Sequence, residues 1–305
     1  MTSGKVSVIM PCYNAAKYLD EAIDSLRRQT YQNLEILAVN DGSKDDTQAR
    51  LEAQAARDSR VRVFAQPNAG PSAARNTAIR NVDGEYVCFL DADDVYLPDK
   101  IERQVQYLKD HPDIDLVYSD WYTGDEQLNL TALSAVRIPY SNMVEAFAIR
   151  NWFPPLVPLF RRGMLDAVGE FDEAFRMTED WEYWIRCTRA GKFAYLPGPL
   201  VIYRTHGAQA HLQVTKMLIA GKRVLSKHFR SDRVLHQRAL ASWYEIHAKV
   251  RWAAGERMQT ARMLAFAFLH SRMAGFAQHL GGGSGPGKPP RIHAVARRAM
   301  KMLRP

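Results

Sequence analysis

The feature that most constrains the fold is a regular alternation of short apolar segments with amphipathic segments over the first 120 residues. The apolar segments share a β-forming composition and lie at residues 6–10, 35–39, 61–65 and 86–90. Apolar side chains at helical spacing predict the helices that come between them, over residues 18–29, 46–57 and 72–81 and from Pro98, which suits a first helical position. Strands that alternate with helices form a parallel sheet covered on both faces. The pattern therefore predicts an α/β fold with a doubly wound, mostly parallel sheet.

The rest of the chain has a different pattern. Residues 119–200 are rich in aromatic side chains and predict loops, a strand at 156–160 and helices near 161–168 and 180–190. From residue 214, three apolar stripes at helical spacing predict a C-terminal α-helical appendage, and a Gly/Pro-rich linker and a short basic amphipathic tail follow it. The predicted parts are an α/β domain, a helical region, a linker and a tail, at residues 1–210, 211–280, 281–290 and 291–305.

Charge is distributed unevenly along the chain. The formal net charge of +8 combines residues 1–200, with 22 basic and 30 acidic side chains, and residues 201–305, with 19 basic and 3 acidic ones. A basic segment of this kind is expected to meet an anionic surface, either a membrane or a nucleic acid. No helix-turn-helix, zinc or RNA-binding signature is present, so we expect no nucleic-acid partner. The tail separates apolar from basic side chains, which favours an anionic membrane surface; the alternative is a disordered solubilising end.

The sequence also indicates a cellular compartment. Cys12, Cys88 and Cys187 are isolated thiols, which is typical of a reducing cytoplasm. The apolar run at the N-terminus is too short for a signal peptide, and no stretch approaches the roughly 18 apolar residues of a spanning helix. We therefore expect a cytoplasmic protein whose membrane contact, if present, is peripheral on the inner face of the membrane.

Polar signals follow three of the predicted strands, at residues 11–14, 40–43 and 91–94. Ligands of such sheets bind beyond the carboxyl ends of the strands. Neither the glycine-rich dinucleotide fingerprint nor the phosphate-binding P-loop is present. Their absence from the sequence argues against a dinucleotide-binding Rossmann domain and against a P-loop NTPase. Asp91 and Asp93 suit a hard divalent cation such as Mg²⁺ or Mn²⁺. The alternative is that these carboxylates form a turn and cap the helix that follows Pro98.

Other polar residues each allow two interpretations. Asp41 would bind a base or a ribose, or would only form an Asp-Gly turn. Arg75 would contact a nucleotide, or would be a solvated helix residue. Asp180, preceded by Glu179, would be a general base, or would cap a helix. His206 would bind a metal or a diphosphate, or would be structural.

Six motifs occur in a fixed order along residues 5–206. They read Met10-Pro-Cys-Tyr-Asn14, Asn40-Asp-Gly-Ser-Lys-Asp-Asp-Thr47, Asn68-Ala-Gly-Pro-Ser-Ala-Ala-Arg-Asn76, Leu90-Asp-Ala-Asp-Asp94, Thr178-Glu-Asp-Trp-Glu182 and Tyr203-Arg-Thr-His206. Together they resemble the family 2 glycosyltransferases, which have the GT-A fold. The resemblance implies an inverting transfer of a sugar, with Mn²⁺ or Mg²⁺, from a nucleotide-sugar donor, commonly a UDP-sugar, to an acceptor hydroxyl.

The resemblance also assigns roles. Residues 1–120 would bind the nucleotide sugar, and residues 121–210 would provide the acceptor side and the base. Asp180 would be the catalytic base, Asp93 a metal ligand and His206 a weaker one. Glu179 and Trp181 would lie on the acceptor side. The donor nucleotide would be bound by Pro11, Tyr13, Asn14, Asp41, Arg75 and Asp91.

Two further expectations concern the reaction. The chain lacks the Q-x-x-R-W motif of polymerising members, which argues against a processive synthase. The acceptor would be a saccharide or a lipid-linked sugar, as in cell-surface polysaccharide or glycolipid assembly. The rival enzyme class is a nucleotidyltransferase that acts on sugar phosphates, but such an enzyme would usually carry a Gly-rich basic loop after the first strand, and residues 11–14 have neither character.

Overall fold

The computed structural model describes residues 2–207 and 213–280. Within them, nine strands form one sheet: β1 Thr2–Cys12, β2 Leu34–Asp41, β3 Val61–Gln66, β4 Gly84–Phe89, β5 Val95–Tyr96, β6 Leu116–Gly124, β7 Leu130–Ser134, β8 Leu159–Arg161 and β9 Phe193–Arg204. Ten helices accompany them: α1 Leu19–Arg27, α2 Thr47–Arg57, α3 Pro71–Ile79, α4 Lys100–Asp110, α5 Met143–Ile149, α6 Arg162–Val168, α7 Glu179–Ala190, α8 Val214–Phe229, α9 Arg233–Ala253 and α10 Arg257–Leu280.

The first four strands form the parallel half of the sheet, in the order β3-β2-β1-β4. All eight residues of β2 are buried, since the strand has a neighbour on each side and helices cover the faces. Helix α1 turns its apolar side chains, Leu19, Ala22, Ile23 and Leu26, into the core. The doubly wound α/β architecture predicted from the alternating pattern is confirmed in this half.

The second half of the sheet is mixed. Strand β8 pairs antiparallel with both β4 and β6, and β9 runs parallel to β6. Strands β5 and β7 add short antiparallel pairs with β9 and β6, respectively. The strand predicted at residues 156–160 lies at Leu159–Arg161, and residues 119–204 are more regular than their sequence pattern indicated.

The start of α4 differs from the prediction. Pro98 was expected at the first helical position, but the helix begins at Lys100 with Asp99 as its N-cap. The backbone before it is held in an extended path, because Leu97 N donates to Leu200 O (2.9 Å) and Thr30 N donates to Pro98 O (2.9 Å). The antiparallel β5–β9 pairing thus continues past β5 and delays the helix.

The chain divides into two compact units. The first comprises the described residues of Met1–Pro139 and Trp152–Gln209, and the second those of Tyr140–Asn151 and Ala210–Pro305. Helix α5 therefore belongs with the C-terminal helices, which confirm the predicted helical appendage. The Gly/Pro linker (281–290) and the basic tail (291–305) lie outside the described residues. No helix in the described ranges is both long enough and apolar enough to span a membrane.

Each unit has its own core. In the first, an aromatic cluster lies beneath the sheet, with Phe89 in ring contact with Phe160, Phe171, Tyr183 and Trp184. In the second, Trp243 of α9 donates its indole N–H to Leu218 O of α8 (3.0 Å). Gly221 of α8 leaves the space that this indole occupies, since a Cβ there would lie 2.3 Å from the ring.

Candidate active site

The sheet order places the candidate site at the carboxyl ends of β1 and β4. These strands are neighbours, but β1 connects onward to β2 on one side while β4 is reached from β3 on the far edge. A crevice forms where the strand order reverses in this way, and it is where ligands of doubly wound sheets bind. Residues 11–14 span the end of β1 and residues 91–94 follow β4, so two of the predicted signals meet at this switch point.

Asp93 faces His206. The imidazole Nε2 lies 2.9 Å from Asp93 Oδ2, and the side chains are 12% and 28% exposed. Burial raises the pKa of Asp93, and the neighbouring Asp91 carboxylate raises it further, whereas the bond to His206 lowers it. The motif positions predicted to hold a metal therefore meet across 113 residues of sequence.

Arg204 holds the backbone of the D-x-D segment in place. Its Nε donates to Asp93 O (2.6 Å), and its Nη2 donates to Glu21 Oε2 (2.5 Å). The Arg204 backbone N–H also donates to Asp94 Oδ1 (2.7 Å). Burial raises the pKa of Asp94 well above its usual range, with Asp93 and Asp91 adding to the effect. The bond from Arg204 N to the Asp94 carboxyl ties the segment to β9.

Sequence reasoning did not assign a role to Arg204, although it lies inside a motif. It is 1% exposed and also donates to Glu126 O (2.5 Å). Its guanidinium lies 4.7 Å from the centroid of the Tyr18 ring, which also packs against His206 at 5.0 Å between centroids. The motif spacing signals that the residue matters, but partners more than 70 positions away cannot be identified from it.

Arg75 joins Asp91 to Glu179. Its Nη2 donates to Asp91 Oδ1 (2.8 Å) and its Nη1 to Glu179 Oε1 (2.9 Å). Burial lowers the pKa of Arg75, but the Asp91 and Glu179 carboxylates outweigh burial and raise it. Arg75 is 2% exposed, so the alternative of a solvated helix arginine is wrong. A nucleotide contact by this residue stays a prediction.

The Arg75 bridge brings the start of α7 to the D-x-D segment. Asp180 follows Glu179 directly, in the first turn of α7, where the helix dipole favours a carboxylate. The N-cap of α7 is Thr178, so Asp180 is not the capping residue that the alternative interpretation required. Trp181 is 1% exposed in the core, so an acceptor contact by its ring would require the ring to leave the core.

Asp41 organises the loop that follows β3. Its two carboxylate oxygens accept bonds from Gln66 Nε2 and Ala69 N, and from Asn68 Nδ2 and Gly70 N, at 2.8–3.2 Å. These four bonds use the acceptor capacity of a carboxylate, so a base or ribose contact would replace one of them. The next residue, Gly42, has φ +69°, and a Cβ there would lie 2.7 Å from Asn68 N. The predicted Asp-Gly turn is present, and nucleotide binding by Asp41 stays a prediction.

The residues after β1 line the same edge. Pro11 pairs in register with Val39 of β2, and Tyr13 is 51% exposed beyond the strand end. Asn14 adopts φ 50°, its backbone N–H donates to Ser43 Oγ (3.0 Å), and its Oδ1 accepts from Lys44 N (2.8 Å). Asn14 therefore joins the first two strand-end loops, while the Tyr13 ring is open to a ligand.

The side chains at the end of β4 fit a divalent cation. The described residues contain no group of three or more His, Cys, Asp or Glu able to hold a metal by themselves. Mg²⁺ sites in enzymes that act on phosphates commonly use only one or two carboxylates, with substrate phosphates completing the shell. The Asp91 carboxylate raises the pKa of Asp93 by like-charge repulsion, which a cation would relieve. The carboxylate oxygens suit Mg²⁺ or Mn²⁺, and the imidazole of His206 would be a weaker ligand for either ion.

Comparison with known proteins decides the family. A sequence profile described as "Glycosyl transferase family 2" matches residues 7–152. The chain belongs to glycosyltransferase family 2. This family 2 glycosyltransferase is 33% identical to an uncharacterized glycosyltransferase of Rickettsia conorii over 223 residues, which is 69% of this chain and 35% of the relative. It is also 40% identical to the glycosyltransferase GlyG of Streptococcus pneumoniae over 122 residues, which is 40% of each chain.

Solved structures show the same fold. The S. aureus TarS 1-349 structure in complex with UDP-GlcNAc superposes with a TM-score of 0.66 at 18% identity, covering 88% of this chain and 82% of that one. The mannosyltransferase PcManGT of Pyrobaculum calidifontis, in complex with GDP-Man and Mn²⁺, gives 0.59 at 18% identity, covering 98% and 84%. The GT-A architecture predicted from the motifs is confirmed. The glycosyltransferase spans between about a third and two thirds of the length of its first Rickettsia relatives.

Proposed function

We propose that this glycosyltransferase transfers a sugar from a nucleotide-diphosphate sugar to an acceptor hydroxyl with inversion at the anomeric carbon. The observation that carries the proposal is the Arg75 bridge, which ties Asp91 to the residue that precedes Asp180. A donor-side carboxylate and a candidate base are thereby held at one edge of the sheet. TarS was solved with UDP-GlcNAc and PcManGT with GDP-Man, so UDP-sugars and GDP-sugars are the first donors to test.

In the proposed reaction, Asp180 takes the proton of the acceptor hydroxyl as its oxygen attacks the anomeric carbon. The new bond forms on the face opposite the diphosphate, whose bond to the sugar breaks with its electron pair. Asp93, with His206 as a weaker ligand, would hold Mn²⁺ or Mg²⁺, which would offset the charge of the departing diphosphate when bound. Arg75 keeps Asp91 in place, and Tyr13 offers its exposed ring to the nucleotide.

Release of nucleoside diphosphate from UDP- and GDP-sugars, with a panel of simple saccharide acceptors and Mn²⁺, tests the proposal. We expect Asp180→Asn to lower kcat by at least about a hundredfold, the lower end of what a positioned base contributes. Donor binding should be unchanged in this variant. The matched control is Asp113→Asn, which alters a carboxylate that is 64% exposed. Full activity of Asp180→Asn would remove the base assignment, and release of pyrophosphate would favour a nucleotidyltransferase.

Where this enzyme acts is part of the same proposal. We propose a cytoplasmic enzyme that glycosylates a saccharide or lipid-linked acceptor in polysaccharide or glycolipid assembly, with its basic tail on the anionic inner face of the membrane. The charge of residues 201–305 supports this arrangement. The proposed glycosyl transfer involves no nucleic acid.

A further inference from the structure

Exposed apolar side chains are concentrated in the helical unit. Of ten large hydrophobic residues found exposed in the described ranges, seven lie on α8, α9 and α10. The four on α10 are Met258 (68%), Phe266 (45%), Leu269 (52%) and Met273 (44%), and Trp252 (51%) lies at the end of α9. Isolated exposed hydrophobic residues are normal, but a contiguous group indicates an interaction surface.

The four side chains on α10 form one stripe. At about 100° per residue they fall within an arc of roughly 80°. The buried residues of the same helix, Thr260, Ala267 and Ala274, lie on the opposite side. Small residues there allow α10 to pack closely on α9, which it contacts along its length. The helix thus has one face packed inside its own unit and a second apolar face that is largely exposed, with Phe266 at its edge stacked on Tyr244 of α9 (5.2 Å between ring centroids). We call this second face, together with Trp252, the α10 surface.

The charged side chains of α10 itself are all basic. From Arg257 to the end of the sequence there is no Asp or Glu. The last acidic side chain, Glu256, is already paired with Arg251. Arg262 is exposed in the middle of the stripe's arc and Arg272 is exposed beside it, whereas Arg257 lies elsewhere around the helix, with its guanidinium 3.7 Å from the centroid of the Trp252 ring. Arginine can bury its aliphatic stem among apolar groups while its charged end stays in water.

This combination selects one kind of partner. We propose that the α10 surface docks on an anionic lipid bilayer, with the stripe in the acyl boundary and the arginines at the headgroups. A helix of this composition binds by apolar burial together with attraction to anionic lipid, and tryptophan favours that interface. A second copy of the chain would bring arginines against arginines with no carboxylate between them. The proposal goes beyond glycosyl transfer. It also differs from membrane binding by the tail at residues 291–305, because it assigns the contact to α10.

Flotation of the full-length protein with lipid vesicles tests the α10 surface. One variant combines Phe266→Gln with Leu269→Gln, and a second combines Arg262→Gln with Arg272→Gln. The control combines Leu130→Gln with Leu133→Gln, which removes apolar side chains of similar exposure (54% and 56%) from β7. Vesicles contain phosphatidylcholine alone or with about a third of phosphatidylglycerol, and circular dichroism checks that each variant folds.

We expect the wild type and the control to float with anionic vesicles and to bind phosphatidylcholine weakly. The partition coefficient of the apolar variant should fall about tenfold or more, because two side chains that would be buried in the bilayer are replaced. The arginine variant should lose about thirtyfold, at roughly fivefold per arginine near an anionic surface. Release of nucleoside diphosphate with a soluble acceptor should not change, which separates failure here from failure of the proposed chemistry.

Three results would overturn the proposal. Unchanged flotation of the apolar variant would move the contact to another surface, such as the tail. Equal binding to neutral and anionic vesicles would remove the role of the arginines. A lipid-free dimer in analytical ultracentrifugation that Phe266→Gln with Leu269→Gln dissociates would assign the surface to a second copy.

Discussion

Lys100 gives the sharpest test of the packing beneath the active site. It is 0% exposed at the start of α4, its Nζ donates to Gln104 Oε1 (2.7 Å), and it lies 4.1 Å from the centroid of the Tyr96 ring. No carboxylate is hydrogen-bonded to it among the described residues. Burial lowers the pKa of Lys100 from its ordinary 10.5 to about 8, although the Cys88 thiol opposes the change slightly.

The sign of the effect on stability follows from proton binding. Between about pH 8 and 10.5 the unfolded chain holds a proton that the folded chain has lost, so the free energy of unfolding rises with pH. The full difference is roughly 3.4 kcal/mol at 1.36 kcal/mol per pKa unit. From about pH 7 to pH 10 the wild type should gain about 2.5 kcal/mol from this group. Lys100→Met removes the gain but leaves Gln104 Oε1 without its donor, which costs about 1–3 kcal/mol at every pH.

Urea unfolding of both proteins at several pH values measures the difference. Other groups titrate in the same range, but they cancel when the variant is subtracted from the wild type. We expect the stability of the wild type relative to Lys100→Met to increase by about 2.5 kcal/mol between about pH 7 and pH 10. Lys192→Met, which alters a side chain that is 69% exposed, is the matched control. A difference for Lys100→Met that does not change with pH would refute the burial argument.

Two further predictions concern the helical unit. His247 is 5% exposed with both ring nitrogens unpartnered within the described residues, and burial, aided by Arg251, lowers its pKa from 6.5 to about 4. The free energy of unfolding of the helical unit should therefore fall by up to roughly 3.4 kcal/mol as pH falls from 6.5 to 4. In thermal melts over this pH range, His247→Phe should reduce the loss of stability. An unchanged loss would contradict the assignment to His247. Gly221→Ala should lower the free energy of unfolding by about 1–3 kcal/mol, since its Cβ would meet the Trp243 ring, whereas Gly275→Ala meets nothing within 4 Å and should stabilise the helix slightly.

Local pattern was sufficient for the parallel half of the sheet. Each of the first four strands contains a short apolar segment, and the helices between them show apolar side chains at helical spacing. The signals after β1 and β4 could be placed at one edge from the pattern alone, because parallel strands share a direction. The sequence pattern alone therefore predicts the position of Asp91 and Asp93 at this edge of the sheet.

Other features of the fold and of the site depend on contacts between residues that are far apart in the sequence, so local pattern could not predict them. Strand β8 has only three residues and inserts between β4 and β6 through antiparallel bonds, which no local period encodes. The role of Arg75 depends on Glu179, 104 positions away, and that of Arg204 on Glu21, 183 positions away. Pro98 was misplaced for a similar reason, since its position depends on bonds to Thr30 and from Leu97 to Leu200.

The most direct test of the central claim is calorimetric binding of UDP and GDP with and without Mn²⁺. We expect one nucleoside diphosphate to bind in the presence of Mn²⁺, and we expect chelation or Asp93→Ala to abolish the heat of binding. Asp180→Asn should leave binding intact, because that residue acts on the acceptor. Binding of equal affinity after chelation and in Asp93→Ala would contradict the claim that the D-x-D segment and His206 hold the donor through a cation.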